Sequence, residues 1–124
     1  MLWDAFESME VKHVLTLDWQ LLQIAEKLVG LRVFDDEAGK MNLDAAAVGG
    51  AFLVVSQFTL AGSVARGRRP SFDRAAPPEE AAPLIAELVG ELRRRGASVA
   101  EGRFRAQMEV ELINDGPVTL VADF

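Results

Sequence analysis

The feature that most constrains the fold is the run Ala51 to Phe58, AFLVVSQF, which follows Gly49-Gly50 and is almost continuously apolar. A strand with one wet face alternates polar and apolar residues. A strand that does not alternate must be covered on both faces, so the chain has to supply layers on either side of it. The run ends in Ser56 and Gln57, which delivers polar side chains to the end of a buried strand. In layered α/β domains, strand ends are where sites are usually built.

The covering elements can be read on both sides. After Asp18, a helix N-cap candidate, Leu21, Leu22, Ala25, Leu28 and Val29 form an apolar stripe at helical spacing, with Gln20, Gln23, Glu26 and Lys27 facing away. This helix should end near Gly30. LRVF (31–34) reads as a short strand or turn before a polar loop from Asp35 to Asn42. A second helix should start near Pro77-Pro78, with Glu79 and Glu80 in its first turn and Leu84, Ile85, Leu88, Val89 and Leu92 as its buried stripe. Pro83 conflicts with a long helix and would move the start toward Glu80. Gly96 is the expected stop. VKHVLTL (11–17) reads as a weak strand. Residues 106–112 alternate, with Ala106, Met108, Val110 and Leu112 on one face and Gln107, Glu109 and Glu111 on the other. A turn at Asn114 to Pro117 and a last strand from Val118 to Ala122 close a layered α/β or α+β order.

Composition narrows the chemistry. The chain has 124 residues, no Cys and one His. That length suits a single domain, 1–124, with a core of its own. Without cysteine there is no disulfide framework, thiolate nucleophile or Cys-ligated metal, and one His argues against a multi-His metal site. No apolar run approaches the roughly 18 residues of a membrane span. The acidic start, Met1 to Glu10, resembles neither a secretory signal nor a transit peptide, so a cytoplasmic location is expected.

The net charge is −6, yet Arg66 to Arg105 carries nine Arg against six acids, a local +3 that leaves −9 elsewhere. A basic patch on an acidic chain suits a partner that meets phosphate on one side. Arg93 to Arg95 have an equally good local explanation, as cations closing a helix C-terminus. The run Arg66-Gly67-Arg68-Arg69-Pro70 has no helix dipole to serve.

Standard catalytic constellations are missing. Gly49-Gly50 precedes a strand rather than a helix, so it is no phosphate loop. His13 reads better as structural than catalytic. Asp35, Asp36 and Glu37 could hold a cation or simply form a charged loop. Glu109 and Glu111 read as solvated. Two clusters remain: Ser56-Gln57-Phe58-Thr59-Leu60 and Asn114-Asp115-Gly116-Pro117-Val118-Thr119. Each is weak alone. Ser56 and Thr59 could tie off backbone groups at a strand end. Gly116-Pro117 could be an ordinary turn, since only about 5–6% of X–Pro bonds are cis.

Together, in order, the clusters resemble the SQ-x-x-L and N-x-GP-x-T motifs of the D-aminoacyl-tRNA deacylase (D-tyrosyl-tRNA deacylase) family. The connectors agree: Leu31 to Phe34, Ala38 to Asn42, Gly67 to Phe72 and Ala75 to Pro78, so the likeness runs from about Leu21 to Asp123. The resemblance implies a homodimer of three-layer α/β/β subunits with mixed sheets. It implies hydrolysis of the ester joining a D-amino acid, or glycine, to the 3′-terminal adenosine of tRNA, with no metal or organic cofactor and no membrane. A cis Gly116-Pro117 would project into the partner subunit's pocket, bind the α-amino group and exclude an L side chain. Asn114 and Thr119 complete that motif. Ser56, Gln57, Phe58 and Thr59 would line the pocket around the scissile carbonyl, and Met108 matches a wall position.

An aminoacyl ester is already activated, so orientation, oxyanion hydrogen bonds from backbone N–H groups near Phe58 and Thr59, and the ribose hydroxyl can suffice. Covalent attack by Ser56 or Thr59 is the second mechanism, though neither has a base nearby in sequence. Arg66, Arg68 and Arg69 are the expected tRNA phosphate contacts. Residues 1–20 depart from the family pattern, which suggests that its first two strands are lacking and that Trp3 and Phe6 cover part of the sheet. Arg105 and Ala61 replace a small residue and an aromatic. These departures motivate the alternative of a non-catalytic relative that dimerises or binds tRNA without turnover.

Overall fold

A computed structural model describes residues 14–124, the first five of them, 14–18, by backbone alone. Helix α1 (Val14–Gly30) and helix α2 (Pro78–Arg94) pack side by side. Between them in the chain come an antiparallel pair, β1 (Phe34–Asp35) with β2 (Met41–Leu43), and strand β3 (Phe52–Val54), which pairs in parallel with β4 (Val99–Glu101) after α2. A 3₁₀ turn, Phe58–Ala61, follows β3. The architecture is mixed α/β, as the layered reading requires.

The core is the seam between the helices. Leu21, Ile24, Ala25 and Leu28 of α1 meet Leu88 and Leu92 of α2, all nearly inaccessible to water. The spacing of three, one and three residues in α1 keeps these side chains on one face. Ile24 therefore replaces the expected Leu22, which is 43% exposed and lies off that face. Phe52 and Val54 of β3 and Val99 of β4 pack against the seam. Leu53, between the first two, is 54% exposed, so among the described residues β3 is covered on one face and not on both as its unbroken apolar run suggested. The second helix buries Leu88, Val89 and Leu92, with Leu84 and Ile85 half-buried, as its stripe predicts. A fully buried Leu contributes about 1.5–3 kcal/mol by area.

The α2 termini follow capping rules. The Pro77 carbonyl accepts from the N–H groups of Glu80 and Ala81, so the helix begins at Pro78 rather than Glu80. Pro83 lies inside it on the exposed side and has no N–H to give to the Glu79 carbonyl one turn back. At the other end Gly96 takes φ 87°, donates to the Arg93 carbonyl, and lets Ala97 donate to that of Leu92. This is the Schellman pattern expected of a C′ glycine.

Three sequence expectations are corrected. Val14 to Leu17 are helical, not extended, and Asp18 lies inside α1 rather than capping it. Val14 and Leu17 continue the three- and four-residue spacing of Leu21, Ile24 and Leu28, so the helical period wins over the short alternation. Residues 106–112 and 118–122 form no strand. A strand exists only as part of a ladder, and among the described residues β3 and β4 bond only to each other. Finally, Phe34 to Leu43 is a small hairpin rather than a strand followed by a loop. Val11 to His13, Trp3, Phe6 and the segment expected to replace the first two strands lie outside the described residues.

Candidate functional site

The β3–β4 ladder is parallel, with Phe52 opposite Val99 and Val54 opposite Glu101. Further bonds continue it at both ends, from the Phe52 N–H to Ser98 O and from the Gly102 N–H to Val54 O. Both strands therefore finish on the same edge. A cavity of about 120 Å³ opens there. Ser56 reaches it just past β3, and Gly102, Arg103 and Phe104 just past β4. Ala82, Ile85 and Ala86 of α2 form one wall, and Met108 another. A cavity beyond the carboxyl ends of parallel strands is where open α/β sheets hold ligands.

Met108 is held in place by its surroundings. The Arg103 N–H points at its Sδ at 3.2 Å. A Cβ at Gly102 would stand 3.2 Å from the Met108 methyl and 3.5 Å from Val55, so glycine lets the thioether lie over the strand end. Two predicted site residues from distant parts of the chain, Ser56 and Met108, thus line one cavity.

The rest of the first cluster continues outward. Gln57 Nε2 donates to Thr59 Oγ1 across the start of the 3₁₀ turn. Leu60 N–H donates to the Gln57 carbonyl, and Gly62 N–H to that of Thr59. Gln57, Phe58 and Thr59 are exposed, and Ser56 is half-buried. The Phe58 ring meets Phe72 edge-to-face, with centroids 5.1 Å apart and planes at 69°. Phe72 lies at the base of the loop that carries Arg66, Arg68 and Arg69. An antiparallel bridge between Ser63 and Ser71 closes that base. All three arginines are exposed and, among the described residues, carry no ion pair.

The second cluster is not part of the cavity lining. Asn114, Gly116, Pro117 and Thr119 are exposed, and none of them lines the cavity. The Gly116-Pro117 peptide is cis. Gly116 takes φ 133°, and a Cβ there would stand 3.0 Å from the Val118 nitrogen, so the position suits only glycine. Arg105 sits in a turn at φ 60°, is exposed and does not line the cavity.

Two other expectations resolve locally. The Asp36 carboxylate accepts from the Ala38 and Lys40 N–H groups through one oxygen and from Asn42 Nδ2 through the other. The Asn42 amide, then the Lys40 N–H, holds this carboxyl below its usual pKa. Asp36 thus organises the β1–β2 turn, and nothing favours the cation reading. The second arginine run is occupied at home. Arg93 donates to the Val99 carbonyl and to Glu101, while Arg94 and Arg95 both grip Glu91, at 2.7 Å and 3.0 Å. The hydrogen bond from Arg94 is the main cause that lowers the Glu91 pKa.

Sequence reasoning missed the α2 wall and the Gly102 to Phe104 corner. Ala82, Ile85 and Ala86 have helical spacing, which was a signal, but they look like more core. Only the packing of α2 beside β3 and β4 turns them toward the cavity.

The comparisons with known proteins converge on one family. The D-aminoacyl-tRNA deacylase of Symbiobacterium thermophilum is 61% identical over 100 residues, which cover 81% of this chain and 66% of that protein. That of Anaeromyxobacter dehalogenans is 58% identical over 100 residues, covering 81% and 67%. The chain therefore spans about two thirds of the length of these curated relatives. A solved structure titled c-Myc DNA Unwinding Element Binding Protein is 36% identical, with a TM-score of 0.69 over 79% of this chain and 67% of that one. The family model described as D-Tyr-tRNA(Tyr) deacylase matches residues 16–123. With the SQ-x-x-L residues at the end of β3 and the Gly116-Pro117 motif in the same order, this chain belongs to the D-aminoacyl-tRNA deacylase family.

Proposed function

We propose that this chain hydrolyses the ester between a D-amino acid, or glycine, and the 3′-terminal adenosine of tRNA, and so removes mischarged residues before translation. The observation that carries this reading is the cavity at the carboxyl ends of β3 and β4, where Ser56 and Met108 meet inside a chain matched to the family over residues 16–123. The aminoacyl group enters beside Ser56, with Gln57, Phe58 and Thr59 at its mouth. Thr59 is engaged by Gln57 and, among the described residues, has no basic partner, which favours attack by water over a covalent hydroxyl. The adjacent ribose hydroxyl helps activate that water, and backbone N–H groups of Phe58 and Thr59 receive the developing oxyanion.

In this reading the chain is one domain that works as a homodimer in the cytoplasm. Gly116 and Pro117 of each protomer, with Asn114 and Thr119 supporting them, close the pocket of the other and exclude an L side chain. The exposure of that motif, and its absence from the cavity lining of its own chain, supports a role between protomers. Arg66, Arg68 and Arg69 meet the tRNA phosphates. No helix among the described residues is long and apolar enough to cross a membrane.

The test is direct. Purified protein is incubated with D-tyrosyl-tRNA, glycyl-tRNA and L-tyrosyl-tRNA, and ester lifetimes are followed. The first two should shorten by orders of magnitude and the third should not. D-tyrosyl and glycyl esters that survive as long as in buffer would overturn the assignment.

A further inference from the structure

The motif turn and the arginine loop are joined by one side chain that neither motif includes. Phe72 lies between them. Its ring packs edge-to-face on Phe58. It also presses on the end of the 3₁₀ turn, where a Cβ at Gly62 would stand 2.8 Å from Phe72 Cε1 and 2.9 Å from the Thr59 carbonyl oxygen. No side chain fits at residue 62 while the ring stays where it is. The neighbouring backbone is pinned as well. Ser63 and Ser71 exchange both N–H···O bonds, at 2.7 Å and 2.8 Å, and so close the loop that holds Arg66, Arg68 and Arg69. Ser71 Oγ donates to Asp73 at 2.7 Å, and the Ala75 N–H donates to the Phe72 carbonyl at 3.0 Å. Phe72 is half-buried and makes no contact with the α1–α2 core cluster.

We propose that Phe72 is a positioning residue. Wedged against Gly62 and Phe58, it sets the turn carrying Gln57, Phe58 and Thr59 in register with the arginine loop, so that a polynucleotide gripped by the loop is presented to the acyl pocket at a fixed offset. This rests on the deacylase reading for its substrate but not for its geometry. The aromatic pair is directional, and an aliphatic side chain of similar volume fills the space without holding the angle. A phenol at the same place keeps the ring and should keep the function.

The experiment compares the wild type with Phe72→Met, Phe72→Tyr and Gly62→Ala by two readouts. The first is amide hydrogen exchange of Leu60 and Gly62, whose N–H groups bond within the turn, against Phe52 and Gly102, whose N–H groups bond in the β3–β4 ladder. Phe72→Met and Gly62→Ala should speed exchange of the first pair roughly tenfold and leave the second pair unchanged. The second readout is kinetic, with D-tyrosyl-tRNA and a D-tyrosyl ester of a short 3′ CCA fragment. Phe72→Met should lower kcat on both about tenfold and also erase most of the preference in kcat/KM for full-length tRNA. Phe72→Tyr should restore both. Unchanged turn exchange in Phe72→Met would overturn the proposal even if the wild type proves inert on every ester. An active wild type with unaltered kinetics in Phe72→Met would overturn it while leaving the deacylase reading intact. Failure of both Phe72→Met and Gly62→Ala to fold would overturn it too, because the pair would then belong to the stabilising core.

Discussion

At the scale of single residues, the proposed site divides into groups that hold geometry and groups that would meet substrate. Gln57 and Thr59 are tied to each other just after Ser56, which lines the cavity. Gln57→Ala should lower kcat on D-tyrosyl-tRNA by on the order of 10–100-fold and leave self-association unaltered. Single-turnover kinetics with sedimentation of the same sample checks both, and equal activity would remove Gln57 from the site. The proposed handedness filter depends on the bulk of the Gly116-Pro117 dipeptide. Pro117→Ala should raise L-tyrosyl-tRNA hydrolysis relative to D-tyrosyl-tRNA by roughly tenfold or more, measured as the ratio of kcat/KM values. An unchanged ratio would end the filter role. These motif residues can be recognised because the site needs particular atoms from them. Ala82 and Ile85 cannot, because only their shape is used.

Among elements, the two helices depend on each other, since the seam between α1 and α2 contains no buried polar group among the described residues. Leu92 is fully inaccessible. Leu92→Ala should cost about 2–5 kcal/mol in urea unfolding, because the cavity cannot collapse between two rigid helices. The α2 C-terminus carries a pH signature. Glu91 has its pKa lowered chiefly by the hydrogen bond from Arg94, so its contribution to stability is complete above the ordinary carboxylate pKa and is lost as pH falls through the depressed value. Thermal melts from about pH 7 to about pH 3 should therefore show a small deficit for Glu91→Gln at neutral pH that closes in acid. A deficit that persists or widens in acid would contradict this. Helix α2 was readable from its stripe, its proline-led start and Gly96. The start of α1 was not, because VKHVLTL satisfies a short period of two and the tail of a longer helical stripe.

At the scale of the whole molecule, two surface segments stand out among the described residues: the arginine loop and the stretch around Gly116-Pro117. The exposed loop of Arg66, Arg68 and Arg69 stands on a chain of net charge −6. Replacing all three by Gln should reduce the slope of log K against log salt for tRNA binding by roughly 2–3, at one phosphate each. A filter-binding titration over salt concentration measures this, and an unchanged slope would move the phosphate contacts elsewhere. The segment that carries Gly116 and Pro117 also exposes Ile113 at 94% and Val121 at 69%. Apolar side chains this open along one segment suit burial against a second copy. Ile113→Asp should weaken the proposed homodimer by roughly tenfold or more by sedimentation, with the proposed deacylase activity falling in parallel at low protein concentration.

Local information in the chain was enough for the helical stripes, the caps of α2, the place of strand β3, the polar residues at its end and the two ordered motifs, but not for how many faces of β3 are covered. Each of these depends on neighbours a few residues apart, where backbone geometry dictates which side chains share a face. Contact between distant segments decided the rest. Ser56 and Met108 line one cavity because β3 and β4 pair in parallel and end together. Arg93 to Arg95 are held by Glu91, Glu101 and the Val99 carbonyl, whereas Arg66 to Arg69 stand in water. The alternating stretch 106–112 forms no ladder, because alternation prepares a strand for a neighbour but hydrogen bonds from that neighbour are what make it one.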